Sequence, residues 1–101
     1  MGSTASGRAA HTEGEKTEAS GWASHAEGYE TKAKGRFSHT EGRGTEARGE
    51  DTHVQGKFND IENITPADTN YGTYAHVVGN GKSNSNRSNA YALEWTGTGR
   101  F

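Results

Sequence analysis

The chain contains no cysteine, a single proline and very few Leu, Ile and Val residues. The missing cysteines exclude disulfide staples and thiolate metal sites, and leave the redox compartment unread. Hydrophobic residues fill 28% of its 101 positions, well below the roughly 45–50% of an ordinary globular domain. A conventional monomeric core is therefore not expected. No apolar run is long enough to span a membrane, so membrane insertion is not expected. The opening "MGSTASGRAAHTEGEK" has no signal-peptide stretch. A chain of this kind that works outside the cell is expected to leave by lysis or to belong to something longer. Eleven basic residues against thirteen acidic ones give a formal charge of −2, with the signs interspersed. This pattern leaves no footprint for nucleic acid.

What the chain has instead is glycine in strict phase. Residues 3–56 read STASG, AHTEG, TEASG, SHAEG, TKAKG, SHTEG, TEARG and THVQG, joined by two-residue links. The units end at Gly7, Gly14, Gly21, Gly28, Gly35, Gly42, Gly49 and Gly56, and "AHVVG" repeats the pattern at Gly79. A disordered tract shares the polarity but does not keep such a phase. Alternation along a strand sends the first and third residues of each unit to one face and the second and fourth to the other. The first set is small throughout: Ser24 and Ala26, Thr31 and Ala33, Ser38 and Thr40, Thr45 and Ala47. Only a very narrow interior is filled by such residues, and the glycines allow the positive φ of tight corners. Two units make one flattened coil, and coils stack at about 4.8 Å. The predicted fold is an all-β parallel β-roll, a β-solenoid of 14-residue coils.

Alternate units differ in their outward residues. Glu18, Lys32 and Glu46 form a column of alternating sign on one sheet, which reads as a solvent face. His11, His25, His39 and His53 form a column on the other sheet, beside Glu13, Glu27, Glu41 and Gln55. At one corner Arg8, Trp22, Arg36 and Glu50 align, offering cation–π contacts.

These units resemble the head repeats of YadA-like trimeric adhesins, with "SHAEGYETKAKG" occupying the family frame S-V-A-I-G-x-x-S-x-A-x-G. The resemblance implies a left-handed coil and a parallel homotrimer. Carried over by position, the family's apolar axial pair falls on His11 and Glu13, His25 and Glu27, His39 and Glu41, and His53 and Gln55. Here the frame departs from the family by replacing a greasy seam with His and Glu. The dialect "SHAEG…TxAxG", with the later "YAHVVGNGKSNSNRSNAYALEW", is more similar to repeat tracts in tail-fibre, tailspike or appendage proteins of phages of Gram-positive hosts. The resemblance covers residues 3–63 and 74–95.

The pass along the chain divides it at two places. Residues 1–63 hold the repeats, with "NDIEN" still in phase; residues 64–73, carrying the only proline, read as an insertion loop. Residues 74–101 resume with His76 and Val78 in the axial positions, then a turn-rich connection, then "AYALEW". That last strand is expected to close the stack with Tyr91, Leu93 and Trp95 on one apolar face.

Several chemistries suit the His-x-Glu repeats. His11, His25, His39 and His53 are candidates for an axial metal ladder. Hydrogen bonding between His and Glu of neighbouring chains is the preferred reading, because every turn carries the pair and metal sites are seldom built in continuous stacks. Neither a metal nor another cofactor is therefore expected. No nucleophile or unique carboxylate pair accompanies the imidazoles, so no enzymatic activity is expected. "GNGKS" lacks the spacing of a phosphate loop, and corner packing is preferred to sugar stacking for Trp22, Tyr29 and Phe37. The expected function is a structural trimeric segment of a phage tail fibre or appendage, or of a surface adhesin. It would serve as a rigid shaft with a surface for a host glycan or protein, on a virion or at a cell surface. A trimeric autotransporter head and an ice-binding solenoid are the alternatives, the latter disfavoured because Thr17, Thr31 and Thr45 fall on the inward phase.

Overall fold

A computed structural model describes residues 2–66 and 70–101. Part of the expected 64–73 loop thus lies outside the described residues. The odd units supply β1 (Thr4–Ala5), β3 (Glu18–Ala19), β5 (Lys32–Ala33) and β7 (Glu46–Ala47), which pair in parallel as a four-stranded sheet. The even units supply β2 (His11–Glu15), β4 (His25–Tyr29), β6 (His39–Thr40) and β8 (His53–Lys57). These continue in parallel to β9 (Tyr74–Asn80) and then antiparallel to β10 (Asn89–Glu94) and β11 (Gly99–Arg100). The result is a β-solenoid of about four turns of roughly 14 residues. Register advances by one coil at each step: His11 pairs with His25, His25 with His39, and His39 with His53.

Inside, the small-residue phase is obeyed. Ala19, Ala26, Ala33, Thr31, Thr40 and Thr45 show no more than 0% relative exposure, and Ser24, Ser38, Ala47 and Val54 only 1%. Among the described residues, four of the seven buried hydroxyls turn to backbone carbonyls of their own coil. Ser24 Oγ donates to Gly21 O at 2.7 Å and Ser38 Oγ to Gly35 O at 2.6 Å. Thr31 and Thr45 Oγ1 donate to Glu27 O and Glu41 O at 2.9 and 3.0 Å. A polar interior is thereby tolerated, since buried donors cost free energy only when unmet.

The template glycines are of two kinds. Gly14, Gly28, Gly42 and Gly56 have positive φ near 100°, as expected. Gly7, Gly21, Gly35, Gly49 and Gly79 do not, and positive φ is not what selects glycine there. A Cβ at Gly35 would stand 2.2 Å from Gly49 O and 2.6 Å from Gly49 C in the next coil. Close approach is the reason. At every repeat corner up to Phe58 the second linking residue is left-handed: Ala9, Ala23, Phe37 and Asp51 after the glycines without positive φ, and Lys16, Glu30, Gly44 and Phe58 after those that have it. Their amides reach back to the preceding coil: Ala23 N donates to Arg8 O, Phe37 N to Trp22 O and Asp51 N to Arg36 O at 2.7–2.9 Å. Corners therefore stay hydrogen-bonded between coils, which offsets the strain of left-handed Ala, Phe and Glu.

At residue 59 the four-stranded sheet stops. "NDIEN" keeps the phase only at its first residue: Asn59 is buried, but no strand forms. Its side chain does what a fifth strand would have done, with Oδ1 accepting from Glu46 N at 2.8 Å and Nδ2 donating to Glu46 O at 3.1 Å. The chain then leaves on an excursion whose neck is tied by Glu62, which accepts from the amides of Thr73 and Tyr74. The closing strand alternates as expected but with the opposite face inward. Ala92 joins Ala47, Val54 and Val77 in the core, while Tyr91 and Leu93 are half-buried on the outer face and Trp95 is exposed. β10 lies opposite β9 through Ala92–Val77 pairing, and a roll this narrow takes Ala at that position rather than Tyr or Leu.

Two tests follow from the interior. Thr40 Oγ1 is buried with no hydrogen-bond partner, and Val54 occupies the same position one coil on. Thr40→Val should raise stability by about 1–2 kcal/mol in chemical denaturation, and a loss would show that the hydroxyl is satisfied. Gly35→Ala should cost at least about 2 kcal/mol, because backbone rather than a flexible side chain must yield. Gly97→Ala, with nothing within 4 Å of its added methyl but a φ of +97°, should cost only the backbone strain of an Ala at positive φ.

Candidate functional site

The outer face of the seven-stranded sheet carries one continuous polar structure. Parallel pairing in register places His11, His25, His39, His53 and His76 in one column, and Glu13, Glu27, Gln55 and Val78 in the column beside it. Glu41 follows β6 in the same phase. The rings of His25 and His39 lie 4.5 Å apart and 11° from parallel, those of His39 and His53 4.6 Å and 7°. His11 sits edge-on to His25 at 4.7 Å, and His53 is tilted against His76 at 5.1 Å. The column ends on Tyr91, edge-on to His76, with Phe101 packed beyond it.

Each carboxylate reaches the imidazole of the following coil. Glu13 Oε1 lies 3.1 Å from His25 Nε2, Glu27 Oε1 2.9 Å from His39 Nε2, and Glu41 Oε1 2.9 Å from His53 Nε2. Gln55 Oε1 repeats the contact to His76 Nε2 at 2.8 Å. The same carboxylates also face the imidazole of their own strand, His11 at 3.5 Å from Glu13 and His25 at 3.6 Å from Glu27. The pairing expected between neighbouring chains is thus made within one chain, between successive coils, because His at position i and Glu at i−12 are adjacent at the interstrand spacing. Three His–Glu–His groups arise: His11–Glu13–His25, His25–Glu27–His39 and His39–Glu41–His53, each with its ligand atoms within 4.8 Å of one another. Their side chains are about one-third exposed from His25 onward and more open at His11 and Glu13. Burial and the neighbouring His53 charge push the His76 imidazole below its usual range, against a smaller upward pull from Glu41.

The second sheet is less uniformly solvent-facing than its pattern implies. Glu18, Lys32 and Glu46 do align, but Glu46 is buried at 6% exposure. It occupies the last rung beside Asn59, where Arg48 Nε donates to its Oε2 at 2.6 Å and Lys34 Nζ stands at 3.5 Å. Burial pushes its carboxyl upward, but the Arg48 hydrogen bond and the charges of Lys34, Arg48 and Lys32 outweigh that and hold it below its ordinary value.

The expected corner stack is present. Arg8 and Arg36 lie over the Trp22 ring at 5.6 and 4.5 Å, and Arg36 also lies over Phe37, whose ring is 5.7 Å from that of Trp22. Lys34 joins them along an open cleft of about 520 Å³ that extends to Pro66. This cationic aromatic surface was legible as a column but not as a cleft, because Pro66 reaches it from the excursion. A separate exposed pair, Tyr71 and Trp95, meets edge-on at 5.8 Å, with Trp95 Nε1 donating to Tyr71 O.

Compared with known proteins, the chain matches no family model, no curated protein and no solved structure.

The Glu46 cluster makes a pH test. A carboxyl held below its ordinary value of 4.5 contributes stability above that pH and loses it as the pH falls. Glu46→Gln should be less stable than the parent at pH 7 by about 1 kcal/mol, its partners being partly exposed. The gap should narrow as the pH drops below about 4.5. A gap that is constant with pH would mean that the carboxylate charge contributes nothing.

Proposed function

We propose that the chain is a segment of a homotrimeric fibre, a left-handed β-roll serving as a rigid shaft in a phage tail fibre or appendage, or in a surface adhesin. The observation that carries the reading is the interior. Among the described residues its largest buried aliphatic side chains are Val54 and Val77, and most of the rest is Ala, Ser and Thr. So little apolar area stabilises one copy weakly, and a covered outer face supplies what the roll lacks. The face we assign to the threefold axis is the His–Glu sheet: His11, Glu13, His25, Glu27, His39, Glu41, His53, Gln55, His76 and Val78. It is the longer sheet and the more continuous one, and its far end becomes apolar through Val78, Tyr91 and Leu93. The opposite corner, with Trp22 between Arg8 and Arg36 and beside Lys34, is left outward and suits a negatively charged host glycan. The resemblance of the repeats to YadA-like and phage-fibre tracts supports the same reading. We assign the chain no reaction, and place it on a virion or cell surface. Buried Thr17, Thr31 and Thr45 leave no outward threonine ladder of the kind an ice-binding face needs.

Light scattering in the micromolar range should return three times the 10.8 kDa chain mass, and a stable folded monomer would overturn the reading. Replacing the bonded pair Glu27 and His39 together by Ile and Val should keep that mass and raise the melting temperature, since packed apolar groups often outperform buried polar pairs. Aggregation without such a gain would place the His–Glu face in solvent.

A further inference from the structure

The His–Glu ladder has one feature that hydrogen bonding leaves unexplained. At its fourth step the chain uses Gln55, whose neutral oxygen meets His76 Nε2 at 2.8 Å, as short as the carboxylate contacts. An amide therefore satisfies the geometry. Yet the three preceding steps carry Glu13, Glu27 and Glu41, stacked as like charges at a spacing where such neighbours repel. The carboxylates add charge, not reach, and a column of charge invites a counter-ion.

We propose that the ladder binds divalent transition-metal ions such as Zn²⁺ at alternate steps, in His11–Glu13–His25 and His39–Glu41–His53, two ions per chain. Two imidazoles and one carboxylate are a borderline donor set suited to Zn²⁺, with positions left open for water. Ligand atoms around a tetrahedral ion bound at 2.0–2.1 Å stand about 3.3 Å apart. The carboxylate-to-imidazole distances in the first group are 3.1 and 3.5 Å, and the corresponding contact from Glu41 to His53 is 2.9 Å. All ligand atoms of each group already lie within 4.8 Å. The side chains are partly exposed and tethered to paired strands, so closing around an ion needs small rotations and no backbone movement.

Sharing sets the count. His25 belongs to the first and middle groups, and His39 to the middle and last. The Nε2 of an imidazole has one lone pair to give. Filling the outer groups therefore empties the middle one, and the ions sit two coils, about 9.6 Å, apart instead of one. Mutual repulsion falls accordingly. Alternation also removes the difficulty of a continuous metal stack. The proposal concerns groups formed within one chain and does not depend on the trimer.

The test uses the full chain, freed of metal with a chelator and dialysed against Zn²⁺, with bound zinc and protein measured together. Two ions per chain are expected for the parent. Glu13→Gln and Glu41→Gln should each halve the count, because the surviving groups share an imidazole. Glu27→Gln should leave it at two. Native Gln55 shows that the ladder accommodates the substitution, and melting curves without metal check that each variant folds. Absence of saturable binding by the parent would overturn the proposal. So would a count unaffected by all three substitutions, the result expected if ions sat in rings of His from three chains.

Discussion

Everything in this fold depends on how closely successive coils approach. Parallel strands at the interstrand spacing bring the backbone of one coil against that of the next, at the corners as well as in the strands. At Gly35 the carbonyl of Gly49 already occupies the space a Cβ would take. The same closeness lets the left-handed corner residues donate their amides to the coil before, so the hydrogen-bond ladder continues around each turn. A chain poor in apolar residues is stabilised through this backbone pairing and through interior hydroxyls that find carbonyls, with Ala and Val filling what space remains.

Because the coils are in register, any outward residue recurring every fourteenth position becomes a column. The consequences depend on its chemistry. Imidazoles stack nearly parallel at 4.5–4.6 Å and draw the carboxylate of the previous coil onto Nε2. Glu and Lys alternate in sign on the opposite sheet. Arg and Trp interleave at a corner. Each surface is thus a one-dimensional array whose neighbours are set by the backbone.

Much of this was legible because the period is exposed in the sequence. The inward phase followed from the invariably small residues at Ser24, Ala26, Thr31 and Ala33, and the columns followed from register alone. What was not legible required knowledge of the corners and ends. Glycine is used at Gly7, Gly21, Gly35 and Gly49 for closeness rather than for φ, a distinction that residue type does not record. Asn59 sits where Thr17, Thr31 and Thr45 sit in earlier odd units, yet it replaces a strand by bonding to both main-chain groups of Glu46. That in turn buries Glu46, which the pattern alone assigns to solvent. The final strand shows the hydrophobic pattern misleading: Tyr91 and Leu93 are the larger apolar residues, but only Ala92 fits the narrow roll.

Corners, as much as strands, are locked coil to coil by backbone hydrogen bonds. Amide hydrogen exchange measured residue by residue tests it most directly. The amides of Ala23, Glu30 and Phe37, which donate to Arg8, Glu15 and Trp22, should be protected to the same degree as those of His25 and Lys32 in the adjacent strands. Corner amides exchanging at the rate of open loops while the strands stay protected would contradict the account.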